Sequence, residues 1–434
     1  MKKGKGGAAA LLLLAVFALA APAALAQGGS EEFPQRAAIL IFAATYLVIA
    51  IGKLPGFYLD RAGTALLGAS LMVAAGAISL DEALSAIDFT TIALLLGMMI
   101  VVGNLRLSGF FRLVNNQVAM RMRHPLALLA TVILSTAFFS AFLVNDAICL
   151  VMAPLTFDLT KRLGRNPIPY LLAVASASNI GSLATITGNP QNIMIGSFSG
   201  IPYDVFAFRL APVAAVGLLF PFSLIALFYR REFLNSERLK SAPQPAHAHR
   251  PLALKSAIVV LLMMIAFFLR QPPAKVALIA GAFMLLTRAV KSQKVYHEID
   301  WPLLLMFSGL FVVVAAFSKA IDPAAILADW GPGKLAEAPF LSLFVALLSN
   351  LLSNVPAVMM LKPFVAGLPD PRHAWLLVAM ASTLSGNLTI LGSVANLIVV
   401  QWAAANGLKI GFWEHLRLGL PVALFSILFG LWWL

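Results

Sequence analysis

Four short polar breaks interrupt apolar segments of this chain, and they come as two matched pairs. Residues 140–154 (SAFLVNDAICLVMAP) and 349–363 (SNLLSNVPAVMMLKP) form one pair. Residues 178–192 (SNIGSLATITGNPQN) and 382–396 (STLSGNLTILGSVAN) form the other. Their setting is that of a membrane protein. The chain is 61% hydrophobic and 11% charged, with a mean hydropathy of +0.91. Apolar runs near the ~20 residues that span a bilayer recur along it. In hydrocarbon every unpaired backbone N–H or C=O is costly, so a broken helix persists only where protein buries it or it lines a cavity. Broken helices at corresponding places in two halves mark the solute site of a membrane transporter. The expected fold is therefore an all-α polytopic membrane protein.

Crossings are expected near 37–52, 62–80, 89–105, 168–200, 210–229, 256–270, 276–290, 302–318, 374–405 and 416–434. The N-terminus has the form of a signal peptide over 1–26. Lys2, Lys3 and Lys5 precede an apolar run, and Ala24-Leu25-Ala26 offers a small-x-small cleavage site. An uncleaved first helix is the alternative. Either one places residue 30 outside a bacterial inner membrane. Most of the 31 Lys and Arg then fall on the inner side, the bias that orients membrane helices. The formal charge of +13 is thus mostly topogenic. No aromatic–basic interleaving suggests a nucleic-acid surface.

The two halves are expected to be inverted repeats, 37–231 and 255–434, joined by a Pro- and Ala-rich cytoplasmic linker over 232–254. Each repeat has five spans and one re-entrant hairpin, with a broken helix. Basic residues flank the first hairpin on both sides (Arg121, Arg123; Lys161, Arg162, Arg165), and acidic ones flank the second (Asp329, Glu337; Asp370). Two half-depth arms meeting at a polar tip fit the first hairpin better than two full crossings. An odd number of spans per half inverts the second copy. Seven pairs keep register: Gly68/Gly281, Asp88/Asp300, Gly97/Gly309, Asn145/Asn354, Pro154/Pro363, Asn192/Asn396 and Arg209/Arg417. Segment 107–123, apolar on one side and basic elsewhere, is expected to lie in the inner interface. Segment 319–338 is its outer counterpart or an ordinary loop.

Asp146 is the one acid expected near mid-bilayer, where an ionisable group is costly and points to function. It is the candidate carrier of a coupling proton or cation. Its plainer role is an N-cap of the returning arm, since Asp and Asn both cap helix starts. Asn145 and Asn354 occupy equivalent tips, with Ser353 before the second. Their amides both donate and accept. The second breaks supply Thr185, Thr187, Gly188, Asn189 and Asn192, then Asn387, Thr389, Gly392, Ser393 and Asn396. Isolated Ser and Thr in membrane helices are usually packing glue; clustered at aligned breaks they are expected to line a substrate or ion site. Cys149, the one cysteine, is expected to be a small buried residue rather than a ligand. Lys362 is expected to snorkel outward as an anchor. His247 and His249 are expected to be solvated linker residues. No Cys/His cluster offers a metal site. No hydrolase motif (HExxH, GxSG) or two-acid protease pair appears, and no cofactor is implied beyond a coupling proton or sodium ion.

FLVNDAICLVMAPL (142–155), ASASNIGSLATITGNPQNIMIG (175–196), SNLLSNVPAVMML (349–361) and STLSGNLTILGSVANLIV (382–399) resemble the ion-transporter superfamily. Its members include arsenite permeases, sodium/proton antiporters of the NhaD type, citrate permeases and divalent-anion/sodium symporters. The resemblance covers about 37–434. It implies inverted repeats whose hairpin tips and breaks meet at the solute site. In the dicarboxylate branch each tip carries Ser-Asn-Thr. Here the matching residues are Val144-Asn145-Asp146 and Ser353-Asn354-Val355. Two hydroxyls are lost and an acid is gained, which disfavours a dianion. An Asn-Asp tip resembles the arsenite-permease and NhaD branches. Arsenite near neutral pH is largely an uncharged trihydroxide, suited to amides, hydroxyls and one carboxylate. The expectation is a secondary active transporter effecting proton-coupled efflux of arsenite or antimonite. The alternatives are sodium- or proton-coupled transport of citrate, a dicarboxylate or another oxyanion, and plain sodium/proton antiport. A homodimer and a separate ATPase subunit remain open as partners; nothing in the residues requires either.

Overall fold

The computed structural model describes residues 32–52, 57–121, 124–233, 248–321 and 332–434. The expected signal segment, much of the linker, Arg123, Asp329, His247 and residues 322–331 lie outside them. Among the described residues there is no strand. Among the same residues, seven helical stretches are long and apolar enough to cross a membrane, one of them the consecutive helices of Tyr203–Phe228.

The chain forms two compact units. The first combines residues up to 92 with 300–337 and 355–371. It contains α1 (Glu32–Ile51), α2 (Arg61–Ala74) and the short α3 (Leu80–Ala86). Local chemistry sets these ends. Asp60 accepts from the Gly63 N–H at 2.8 Å to start α2. Ser79 and Glu82 close a capping box at α3. Glu82 also pairs with Lys319 at 2.5 Å, and that hydrogen bond is the main reason its carboxyl is held down at about 2.

The second unit combines 93–299, 338–354 and 372–434. It holds most of α4 (Phe89–Ser108), then α5 (Phe110–Arg121), α6 (Pro125–Phe142), α7 (Asn145–Arg162), α8 (Pro167–Ser182) and α9 (Pro190–Ser199). There follow α10 (Tyr203–Gly217), α11 (Leu219–Phe228), α12 (Arg230–Phe233), α13 (Arg250–Phe268), α14 (Pro273–Leu285) and α15 (Ser292–Tyr296). Next in the chain, α16 (Trp301–Ala320) and α17 (Pro332–Ala336) belong to the first unit, and α18 (Ala338–Leu352) to the second. α19 (Asn354–Val365) begins in the second unit and continues in the first. α20 (Pro371–Ser385), α21 (Val394–Ala405) and α22 (Phe412–Trp433) complete the second unit.

Glycine sets the packing in both units. In the first, α16 lies along α2 so closely that a Cβ on Gly309 would sit 2.6 Å from the Ala65 carbonyl carbon. In the second, a Cβ on Gly97 of α4 would sit 2.5 Å from the Ala277 carbonyl carbon of α14, and Gly281 of α14 faces Gly97. α4 and α16 carry one aligned glycine pair, and α2 and α14 carry the other. Gly97 and Gly309 thus make the same kind of contact in their two units, whereas Gly68 faces the Thr45 side chain of α1. Asp88 and Asp300 are equivalent as well, since each caps the helix that follows it.

Several expectations need correction. The arms of the first hairpin are 18 residues each, about 27 Å at 1.5 Å per residue. That is well beyond half of a ~30 Å hydrocarbon core. The arms of the second are shorter, at 15 and 12 residues. α2 and α14 are only 14 and 13 residues long, shorter than the crossings expected there. Gly76 turns the chain after α2 with φ +70°. At the end of α14, Lys255 Nζ donates to the carbonyls of Phe283 and Leu286, a cation satisfying the last carbonyls of a helix. α13 begins at Arg250 because His249 caps it, accepting from the Leu252 N–H at 3.3 Å. His249 is thus a cap rather than a free loop residue. α5 does form within the segment expected at the interface.

Candidate functional site

The site residues lie in the second unit, and they begin with two breaks built alike. α8 ends at Ser182, a 3₁₀ turn covers Ile186–Gly188, and Asn189 caps α9, accepting from the Asn192 N–H at 2.8 Å. α20 ends at Ser385, a 3₁₀ turn covers Ile390–Gly392, and Ser393 caps α21, accepting from the Ala395 N–H at 3.2 Å. Both breaks need glycine at the end of the turn. A Cβ on Gly188 would lie 2.0 Å from the Ser182 carbonyl oxygen, and one on Gly392 would lie 2.6 Å from Asn350 Oδ1. Each break frees helix carbonyls, and one asparagine recovers two of them. Asn192 Nδ2 donates to Ser182 O and Thr185 O at 3.2 and 3.1 Å. Asn396 Nδ2 donates to Gly386 O and Thr389 O at 2.7 and 2.9 Å. Three of these carbonyls have a second donor: Thr185 O accepts from the Gly188 N–H, Thr389 O from the Gly392 N–H and Ser182 O from Asn189 Nδ2.

The hairpin tips are also alike. Val144 (φ +54°) and Ser353 (φ +78°) both adopt left-handed backbone before the returning arm. For a β-branched valine that region is an outlier, with strain on the order of 1–3 kcal/mol. The turn delivers Asn145 and Asn354 as the first residues of α7 and α19, both buried. Ser178 Oγ donates to Asn145 O at 3.2 Å, while Ser140 Oγ reaches Ser178 Oγ at 3.2 Å. With the Asn354 amide assigned to suit its neighbours, its nitrogen donates to Gly392 O and Ser382 O at 3.2 and 3.1 Å and its oxygen accepts from Gln191 Nε2 at 3.2 Å. Thr185 Oγ1 bonds Ala141 O in the first hairpin, and Thr389 Oγ1 bonds Asn350 Oδ1 in the second at 3.1 Å. Thr187 Oγ1 lies 3.3 Å from Thr185 Oγ1 and 2.9 Å from the Tyr203 hydroxyl.

Bonds between the two halves of the sequence join these parts. Asn179 Oδ1 accepts from Asn145 Nδ2 at 3.4 Å and from Ser393 Oγ at 2.8 Å. Its Nδ2 donates to Asn387 Oδ1 and Asn396 Oδ1, both at 3.0 Å. Reciprocally, Asn189 Nδ2 and Gln191 Nε2 each donate to Thr383 Oγ1 at 3.2 Å. Positions 179 and 383 correspond when the two breaks are aligned, and each meets the capping side chain of the other half. The network gathers the first hairpin tip, both breaks and Asn354. Sequence reasoning missed its hub. Asn179 lies in the quoted break segment, but its counterpart is Thr383, so matching identical polar residues passes over it.

Four buried amide atoms have no hydrogen-bond partner among the described residues: Asn104 Oδ1, away from the breaks, and Asn145 Oδ1, Asn192 Oδ1 and Asn387 Nδ2 within the network. Asp146 is half-buried in the first turn of α7. It is the second helical residue; the cap position is Val144, with no side-chain cap bond. The capping role expected for Asp146 is therefore not what the turn shows. Cys149 is buried and free, and Lys362 is exposed. A further neighbour is His415, buried on α22, with Nε2 3.1 Å from Asn387 O. Gly419, one turn on, lets α22 approach, since a Cβ there would lie 2.0 Å from that same carbonyl oxygen. Among the described residues no three His, Cys, Asp or Glu side chains group as metal ligands.

The family model described as citrate transporter matches residues 46–375. The chain belongs to this transporter family. It is 31% identical over 416 residues to a 46 kDa membrane protein of Mycobacterium leprae (strain TN), covering 90% of this chain and 96% of that one. It is 29% identical over 462 residues to the silicon efflux transporter LSI3 of Oryza sativa subsp. japonica, covering 90% and 95%. The solved YdaH transporter of Alcanivorax borkumensis shares the fold, with a TM-score of 0.59 at 16% identity over 92% of this chain and 96% of that one. These relationships agree with the expected superfamily and with a helical membrane transporter.

Proposed function

We propose that this transporter is a secondary active carrier of the bacterial inner membrane that expels arsenite or antimonite in exchange for protons. One observation carries the reading. The buried cluster joining both halves is made of neutral amides and hydroxyls, with a single carboxylate, Asp146, at its edge in sequence. Such a set suits a small uncharged hydroxide and leaves one group able to take up and release a proton. A cluster for a citrate trianion needs cationic or donor-rich groups, and Asp146 opposes that charge. The silicon efflux relative is consistent with this, because dissolved silicon near neutral pH is an uncharged tetrahydroxide. The family description favours a second reading, proton- or sodium-coupled transport of citrate or a related anion.

Purified protein in proteoliposomes separates these readings. Arsenite, antimonite, citrate and sodium fluxes are followed under imposed proton and sodium gradients. A proton gradient is expected to drive arsenite flux above that of empty liposomes. Citrate flux driven by sodium, with no arsenite flux, would replace the first reading by the second.

A further inference from the structure

The hydrogen-bond donors and acceptors of the cluster can be assigned one after another from backbone groups, which have no freedom to exchange roles. Asn396 Nδ2 faces two carbonyl oxygens, Gly386 O and Thr389 O. Its Oδ1 is therefore an acceptor, so the Asn179 atom facing it is the amide nitrogen. That nitrogen also faces Asn387, whose contacting atom is then Oδ1, leaving Asn387 Nδ2 as a donor with no partner. Asn179 Oδ1 in turn accepts from Ser393 Oγ and Asn145 Nδ2, leaving Asn145 Oδ1 as an acceptor with no partner. Asn192 repeats the pattern: its nitrogen is held by two carbonyls and its Oδ1 is unpartnered. Asn145 and Asn387 are at most a few per cent exposed, so each leftover atom calls for a partner.

We propose that Asn179 sets the hydrogen-bond polarity of a solute site beside Asn145 and Asn387, and that this polarity selects hydroxyl-bearing oxyacids. An O–H of the solute donates to Asn145 Oδ1, and a neighbouring solute oxygen accepts from Asn387 Nδ2. A hydroxylated oxyacid satisfies both, whereas a fully methylated oxide has no proton for Asn145 Oδ1. Asn179 acts as a positioning residue, because the side-chain amides of Asn145 and Asn387 are both oriented by it. The inference rests on the transport reading above, and it narrows the substrate by donor count rather than by element.

The test is competition against labelled arsenite in gradient-free counterflow, using the full chain in proteoliposomes at pH 7. Antimonous and orthosilicic acids are uncharged and hydroxylated, whereas trimethylarsine oxide is uncharged without donors. The two acids are expected to compete within about tenfold of arsenite. Trimethylarsine oxide is expected to be weaker by about a hundredfold, as when a buried polar site meets an analogue lacking its partner group. Trimethylarsine oxide competing as well as arsenite would overturn the inference while leaving transport intact. The same series measured as binding to detergent-purified protein covers the converse case. Selective binding without counterflow would sink the transport reading alone, and arsenite that neither binds nor exchanges would sink both. In Asn179→Leu the two amides lose their orienting partner, so the arsenite-to-trimethylarsine-oxide ratio should collapse to about threefold. A folded variant with the wild-type ratio would remove Asn179 from the role. If the variant fails to fold, the wild-type series still decides the polarity.

Discussion

At the scale of single residues, the placement of Asp146 decides what its substitution tests. It stands at the second position of α7, after a strained Val144 that makes no side-chain cap. A carboxylate there gains from the helix N-terminus, worth about 0.3–1 kcal/mol near a surface. Asparagine would lose that modest gain and keep the shape. If Asp146 carries the coupling proton, Asp146→Asn should reduce gradient-driven arsenite flux by tenfold or more, about 1.4 kcal/mol, and flatten its pH dependence. Wild-type flux with wild-type pH dependence in the reconstituted variant would leave Asp146 a purely local role. Asn145, Asn192, Asn354 and Asn396 were legible as site candidates because each recurs at its counterpart position beside a glycine or a helix start. Asn179 was not legible. It sits within α8 rather than at a break, and its importance comes from bonds to residues more than 200 positions away. The hydrogen-bond donor and acceptor roles of the amides were equally hidden, since composition carries no information about orientation.

At the scale of elements, glycine pairs and caps explain most of what could be read in advance. The aligned pairs Gly68/Gly281 and Gly97/Gly309 stood out as matches, and the packing gives them a reason. Three of the four meet backbone or side-chain atoms within 2.6 Å of an added Cβ, whereas Gly281 has its nearest neighbour at 3.2 Å. A methyl forced against backbone costs about 1–3 kcal/mol. Gly309→Ala and Gly97→Ala should therefore lower the unfolding midpoint in detergent clearly more than Gly281→Ala does. Equal effects from all three would mean that the helices slide apart at no cost and that close approach is not what these glycines provide. Helix lengths were harder to read. The hydropathy of 62–80 and 276–290 continues past the true ends of α2 and α14, which are set by Gly76 and by Lys255 capping the α14 carbonyls. The hairpin arms erred in the other direction, because their charge flanks locate the ends without fixing how deep 18 residues reach.

At the scale of the whole molecule, the remaining question is which way each half faces. The fold was legible as a helical membrane protein, and its tips and breaks recur in the same order in both halves of the sequence. Orientation rests on charge alone. Lys161, Arg162 and Arg165 follow the first hairpin, whereas Glu337 precedes the second and Asp370 follows it. Basic flanks stay on the cytoplasmic side and acidic ones have little hold, so the hairpins should open to opposite sides. Lys161, Glu337 and Asp370 are all exposed, and the one native cysteine, Cys149, is buried. Single cysteines placed at the three exposed positions can therefore be tested against a low background. In intact cells with the outer membrane permeabilised, a membrane-impermeant maleimide should label Glu337→Cys and Asp370→Cys. Lys161→Cys should react only after the inner membrane is opened. Labelling of Lys161→Cys in intact cells, or protection of both acidic positions, would mean that the two halves are not inverted. The cross-half hydrogen bonds would then join two copies of one orientation, and alternating access would need a different basis from the exchange of two mirrored hairpins.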